Sequence, residues 1–207
     1  ASASSIKEDS LNVITGTGRL GSSTASFSSR ISDNTDFSGS SIEAEINSTD
    51  VRDLADLYNI SLNGPTPVKL IASATLETKA VQLDSISLSA NKDSAKGSGK
   101  ITFSPTLNIQ FDGSAEGANL RATINKFIQT QSDAPMPVES WQLSGKFGYA
   151  DNQLQISNGN SMLNNAKQRF SGTVKFGNPT PTIDATLFAS GQNLAETLAF
   201  AELDNIP

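Results

Sequence analysis

The sequence contains no cysteine and no histidine among its 207 residues, and it has only one Trp and two Tyr. These absences exclude a Ser-His-Asp triad, a cysteine nucleophile, a thiolate zinc site and an imidazole general base. We therefore expect a protein that is not an enzyme and that uses no metal ion or other cofactor.

Charged residues are also scarce. They make up 17% of the chain, compared with about 25% in an average globular protein. The net charge is -6 at pH 7, and the pI is near 4.6. Because binding to phosphate backbones needs a basic surface, this balance argues against nucleic acid as a partner.

Long hydrophobic runs are missing as well, and no run approaches the roughly 20 residues that span a bilayer. The start of the chain, Ala1-Ser2-Ala3, lacks the basic and apolar regions of a signal peptide. We expect a mature form or a piece of a longer protein. Uncharged polar residues in short alternation with apolar ones are abundant, which is typical of exported bacterial β-proteins.

An internal repeat organises the chain. The segment 65–68 (Pro-Thr-Pro-Val) recurs at 135–138 (Pro-Met-Pro-Val), and the segment 98–103 recurs at 171–176. The spacing of about 70 residues predicts a duplication, with a third, partial copy upstream. We predict a partial first repeat at 1–64, a second repeat at 65–134 and a third at 135–207, all within one continuous sheet.

Alternation of apolar and polar residues dominates each repeat and predicts half-buried strands. The segments 104–106 and 178–181 carry Pro with Ser, Thr or Asn, and so predict turns between strands. A change of phase between Leu83 and Ile86 predicts a bulge. One strand face is predicted from Val68, Leu70, Ala72, Ala74 and Leu76, and its counterpart from Trp141, Leu143, Phe147 and Tyr149.

A short helix is predicted at the end of each repeat. Apolar residues with helical spacing follow the capping residues Asp50, Asn119 and Asn193. The predicted fold class is mainly β with short helices. Each unit of about 70 residues has four to five antiparallel strands and one helix, and the units form an elongated, curved groove. One short helix covers only part of a strand face, so an apolar strip remains for a ligand or partner.

These segments resemble the AsmA family of bacterial envelope proteins, which includes TamB-like members. The resemblance rests on 50–58 (Asp-Val-Arg-Asp-Leu-Ala-Asp-Leu-Tyr), on 81–84 (Val-Gln-Leu-Asp) and on 96–101 (Lys-Gly-Ser-Gly-Lys-Ile). It implies a β-groove in the periplasm or cell envelope that carries lipid between the inner and outer membranes in outer-membrane biogenesis. The membranes would be reached through flanking segments. The family's usual N-terminal membrane helix does not occur in this sequence, so anchoring and direction are not carried over.

The expected partner is a phospholipid or another lipid, together with self-association through sheet edges. The same apolar residues fit two interpretations, namely the lining of a lipid groove and a closed core beneath the helices. A closed core would favour the alternative function, a structural or adhesive β-repeat or a scaffold for outer-membrane protein assembly. The candidate lipid-binding residues are Ile101, Phe103, Ile109, Phe111, Trp141, Leu143, Phe147, Val174, Phe176 and Leu187.

Three further motifs favour structural interpretations. The segment 16–21 (Gly-Thr-Gly-Arg-Leu-Gly) has the form of a dinucleotide-binding loop, but the Ser- and Thr-rich residues after it are poor helix formers, so a β-turn is predicted. The acidic residues Asp50, Asp53 and Asp56 lack the spacing of a calcium loop, and suit a helix start. Glu43 and Glu45 share one strand face, which predicts a solvated surface rather than a glycosidase pair.

Overall fold

The computed structural model describes residues 2–8, 11–55, 62, 64–127, 140–163, 166–177 and 180–190. These residues form one antiparallel sheet, which confirms the mainly β prediction. Its strands are β1 (Ser2–Glu8), β2 (Leu11–Leu20), β3 (Ser23–Ile31), β4 (Ser41–Ser48), β5 (Val68–Glu77), β6 (Ala80–Ala90), β7 (Asp93–Thr102), β8 (Asn108–Gly117), β9 (Trp141–Ala150), β10 (Gln153–Leu163), β11 (Ala166–Lys175) and β12 (Thr182–Ser190).

The twelve strands pair in sequence order, so each strand lies beside the strands that precede and follow it in the chain. Several connections are two-residue hairpin turns in which the first residue or both residues adopt positive φ, the conformation that matches the twist of the flanking strands. Gly21 (φ 52°) begins the turn after β2, and Asn91 (φ 60°) begins the turn after β6. Asp151 and Asn152 (φ 50° and 58°) form the turn after β9. The sheet is therefore a simple meander.

Two short helices interrupt the meander. α1 (Arg52–Ala55) lies between β4 and β5, and α2 (Leu120–Phe127) lies between β8 and β9. The predicted cap of α2 is confirmed, since Asn119 Oδ1 accepts a hydrogen bond of 2.9 Å from the backbone N–H of Ala122. Within the described part of the chain, neither helix has the length and apolar content to cross a membrane. The helix predicted after Asn193 falls outside the described residues.

The register of the ladder places most apolar side chains on one side of the sheet. Ile42, Ala44 and Ile46 of β4 stand opposite Ala74, Ala72 and Leu70 of β5, and the alternating Glu43 and Glu45 point to the other side. The predicted bulge in β6 is confirmed, because the pairing with β7 shifts between Leu83 and Ile86. This shift returns the apolar residues after the bulge to the same side.

The sheet is a single layer over the described residues. Ala80 and Ala90 are the only hydrophobic residues there that are buried. The whole chain exposes 13790 Å², although a compact monomer of 21.7 kDa is expected to expose only about 9,200 Å². Apolar side chains in this sheet therefore pack against their neighbours within the layer, and no second layer formed by described residues covers them.

Candidate functional site

We call the side of the sheet that carries Ile42, Ala44 and Ile46, with their register partners, the apolar face, and the opposite side the polar face. Residues that stand opposite each other in neighbouring strands form rows perpendicular to the strands. One such row is apolar in eight successive strands, and at a strand spacing of about 4.8 Å it is about 34 Å long. It consists of Leu76, Val81, Ile101, Ile109, Tyr149, Leu154, Val174 and Ile183.

Eight of the ten predicted lipid-binding residues lie on this apolar face. Three belong to the apolar row described above, and a second row contains Phe111 and Phe147 beside Ile156 of β10. The ladder thus brings together side chains that are up to 86 positions apart in the sequence. The eight are Ile101, Ile109, Phe111, Trp141, Leu143, Phe147, Val174 and Leu187.

The remaining two predicted residues lie just beyond strand ends. Phe103 follows the last residue of β7 and is 58% exposed, while its N–H donates to the carbonyl of Lys79. Phe176 follows β11 and is 53% exposed. Its ring centroid lies 6.4 Å from that of Tyr149, which belongs to the apolar row. Both phenylalanines therefore border the apolar face at one end of the strands.

Glycines on the apolar face lie beneath aromatic rings. A Cβ atom added to Gly97 would overlap Cζ of Phe111, and one added to Gly113 would overlap Cε1 of the same ring. Gly159 has the same relation to Phe170, with ring atoms 2.5–2.7 Å from its added Cβ. Glycine thus lets these rings lie flat across the neighbouring strand, which keeps the apolar surface low and smooth.

A short hydrogen-bond chain joins α2 to one end of the apolar face. Trp141 Nε1 donates to Thr123 Oγ1 at 3.3 Å, and Thr123 Oγ1 lies 2.8 Å from Asp93 Oδ2. Thr123 is on α2, Asp93 begins β7 and Trp141 begins β9. This chain fixes the indole at the end of the face, where its N–H needs a polar partner.

The polar face is held by cross-strand ion pairs. Lys69 lies 3.1 Å from Glu45, and Lys146 lies 3.8 Å from Asp112. The amide of Asn47 and the ammonium group of Lys69 lower the pKa of Glu45. A lowered pKa suits a permanent anion in an ion pair, in keeping with the predicted solvated surface. Glu45 and Glu43 thus belong to the same face as the lysines.

The other two motifs also have structural settings. Gly16 and Gly18 lie inside β2, and the turn at Gly21 leads directly into the strand β3, so the segment has no helix to receive a phosphate. Asp50 Oδ1 accepts a hydrogen bond from the N–H of Arg52, and the Arg52 side chain lowers the pKa of Asp50 to about 2. This is the predicted capping role. Asp56 lies outside the described residues.

Sequence reasoning missed several residues of the apolar face. Phe27 stands opposite Gly16 and Ala44, and Phe170 stands opposite Gly159 and Leu187. Each is a single aromatic residue among Ser, Gln or Arg, so its own segment shows little periodicity. These residues can be assigned to the apolar face only from the pairing of the strands. Local alternation of apolar and polar residues does not contain that information.

Comparisons with known proteins found no match to a family model, to a curated protein or to a solved structure.

Proposed function

We propose that this chain is a lipid-binding or lipid-transfer segment of the AsmA-like kind, acting in the bacterial periplasm or cell envelope. Acyl chains would lie on the apolar face while head groups stay in water. The observation that carries the proposal is the apolar row across β5–β12, which no second layer covers within the described residues. Such a large apolar surface usually marks a binding site.

The binding energy would come from many small contacts. Each buried methylene group gains about 0.8 kcal/mol, so an acyl chain along the row needs no single dominant residue. The flat rings of Phe111 and Phe170 support this role, because they offer area without blocking passage along the face. The proposal is a binding role without catalysis.

The proposal includes a sheet built from units of about 70 residues, each with four to five strands and one helix. Four strands separate α1 from α2, and four more follow α2. The recurring Pro-x-Pro segments at 65–67 and 135–137 precede β5 and β9. Further units of this kind in a longer protein would extend the apolar face into an elongated groove between the two membranes.

A matched pair of variants tests the lipid site. Leu143 is on the apolar face and 36% exposed, and its neighbour Gln142 is on the polar face of the same strand. We expect the purified protein to bind fluorescent NBD-phosphatidylethanolamine, Leu143→Glu to lower that binding at least about tenfold, and Gln142→Glu to leave it unchanged. The expected loss reflects the cost of placing a charge in an apolar contact.

The two interpretations of the apolar residues predict different outcomes. Since Leu143 is partly exposed in an open face, Leu143→Glu should retain the wild-type circular dichroism spectrum and a cooperative thermal transition. Unfolding of Leu143→Glu would indicate a closed core and support the structural or adhesive alternative. Absence of lipid both in native mass spectra and in the fluorescence titration of the wild-type protein would contradict the proposal.

A further inference from the structure

One patch of the polar face is formed by the last three strands of the described sheet. The register places Asn160 of β10, Arg169 of β11 and Phe188 of β12 side by side. Lys167 and Ser171 flank Arg169 on the same side of β11. Together they border an open cleft of about 760 Å³.

Some cations of the polar face pair with a carboxylate on a neighbouring strand, whereas others, such as Lys96 of β7, make no ion pair with a described residue. Lys69, Lys100 and Lys146 each lie within 4 Å of a carboxylate on a neighbouring strand. Lys167 and Arg169 make no such ion pair with any described residue, although the chain as a whole is acidic. Lys167 and Arg169 are adjacent on one face of β11, and because no described carboxylate pairs with them, both are available to bind an anion from solution.

The aromatic residue of the patch is also unusual. Phe188 is 69% exposed and lies on the face where the neighbouring positions are polar. Thr186 and Ser190 flank it on the same face of β12 and border the same cleft. An exposed ring beside hydroxyl and amide groups offers a flat apolar surface together with hydrogen-bond partners.

We infer that this patch binds a saccharide that carries an oxyanion, either a phosphate or a carboxylate group. Strands lie about 4.8 Å apart and alternate residues about 6.7 Å apart, so the patch measures about 10 by 13 Å, which suits one or two sugar rings. The sugar ring stacks on Phe188, and the oxyanion binds Arg169 and Lys167. Asn160 and Thr186 supply hydrogen bonds to hydroxyl groups.

This site lies on the opposite side of the sheet from the proposed lipid site, so the two proposals can fail separately. The lipid assay reports on Leu143 and the apolar face, whereas the test below reports on β11 and β12. Neither readout depends on the other ligand.

The test is a titration of the isotope-labelled protein with glucose 1-phosphate, followed by changes in backbone amide chemical shifts. We expect the shifts to concentrate on residues 167–171 and 186–190. Arg169→Gln should weaken binding at least about tenfold, because it removes a charge-assisted hydrogen bond. Phe188→Leu should weaken it about threefold to tenfold, because it removes an aromatic contact. Lys100→Gln, which removes an equal charge outside the patch, is the matched control.

Two parallel titrations define the ligand. Glucose tests the sugar without the anion, and inorganic phosphate tests the anion without the sugar; both should bind more weakly than glucose 1-phosphate. Equal affinity for inorganic phosphate, or an unchanged affinity in a folded Phe188→Leu variant, would overturn the saccharide assignment. Equal losses in Lys100→Gln and Arg169→Gln, or the absence of localised shifts, would overturn the site.

Soluble sugars and lipid-linked sugars can both present a sugar ring with an oxyanion. A vesicle sedimentation experiment distinguishes the two sources. Two proteins are used, the variant Leu143→Glu and the double variant Leu143→Glu with Arg169→Gln. Both carry Leu143→Glu so that the apolar face contributes little to vesicle binding. Each protein is mixed with phosphatidylcholine vesicles that contain or lack phosphatidylinositol. Sedimentation that requires both phosphatidylinositol and Arg169 supports a glycolipid head group as the source. Binding of glucose 1-phosphate without such sedimentation supports a soluble saccharide.

Discussion

The two faces of the sheet share one backbone, but different side-chain interactions hold their side chains in place. On the apolar face, rings and aliphatic chains fill the space over the glycines. The single ring of Phe111 lies over both Gly97 and Gly113. On the polar face, exposed side chains form ion pairs such as Lys69–Glu45 and Lys146–Asp112. Exposed ion pairs contribute little to stability. The apolar face therefore carries most of the stabilising packing, even though no second layer covers it within the described residues.

The largest expected effect on the free energy of unfolding comes from adding one methyl group to a glycine of the apolar face. The same addition on the polar face serves for comparison. A Cβ atom at Gly97 would overlap the Phe111 ring and lie 2.6 Å from the carbonyl oxygen of Asp112, whereas one at Gly148 would meet nothing closer than 3.9 Å. Gly97→Ala should lower the free energy of unfolding by about 2 kcal/mol, as overpacking does. Urea denaturation measures the change.

Gly148→Ala is the control for this prediction, because Gly148 lies in β9 on the polar face. We expect its unfolding free energy to stay within about 0.5 kcal/mol of the wild-type value. Equal losses of unfolding free energy in Gly97→Ala and Gly148→Ala would contradict the view that side chains pack tightly over the apolar face and not over the polar face.

A smaller effect is expected where α2 meets the apolar face. Thr123→Val keeps the shape of the side chain but removes the partner of Trp141 Nε1 and of Asp93. The expected loss is about 1 kcal/mol in the free energy of unfolding, the usual value for one hydrogen bond. Since Trp141 is the only tryptophan, its fluorescence emission should shift as the indole loses its fixed position.

Thr182→Val is the matched substitution on β12, where Thr182 is exposed. It should leave both the emission spectrum and the stability nearly unchanged. Identical spectra for wild-type protein and Thr123→Val would contradict a docked helix end at Trp141.

The smallest effect concerns the ion pair between Arg52 and Asp50, at the start of α1. The Arg52 side chain lowers the pKa of Asp50 from 3.8 to about 2. A carboxyl group whose pKa is lowered by folding stabilises the folded state above pH 4, and this contribution is lost as the pH falls towards 2. The stability difference between wild-type protein and Asp50→Asn should therefore shrink over that interval in thermal melts, whereas a difference independent of pH would contradict it.

The sequence was most informative where alternation, turns and caps coincide. The strand from Val68, the bulge after Leu83 and the cap at Asn119 all follow from residues within one short segment. Phe103 and Phe176 continue the alternation in the sequence, but the ladder ends one residue before each of them. Local periodicity gives the direction of side chains and does not give the length of pairing.

The composition of the apolar face depends on contacts between distant segments. Phe170 and Gly159 form a pair across β10 and β11, and the benefit of glycine there exists only because of the ring opposite. A lone Phe among polar residues gives no period from which to predict it. That Lys167 and Arg169 have no carboxylate partner among the described residues is equally invisible in the sequence, because it is a property of the assembled sheet.

The meander order has a mechanical consequence. Because every strand is bonded only to its neighbours in the sequence, tension applied along the chain would detach the strands one at a time, starting from either edge. Each detached strand of about ten residues would lengthen the chain by roughly 33 Å. A force–extension curve should then show a series of small, evenly spaced steps, the behaviour of a ribbon that yields gradually and can re-form strand by strand.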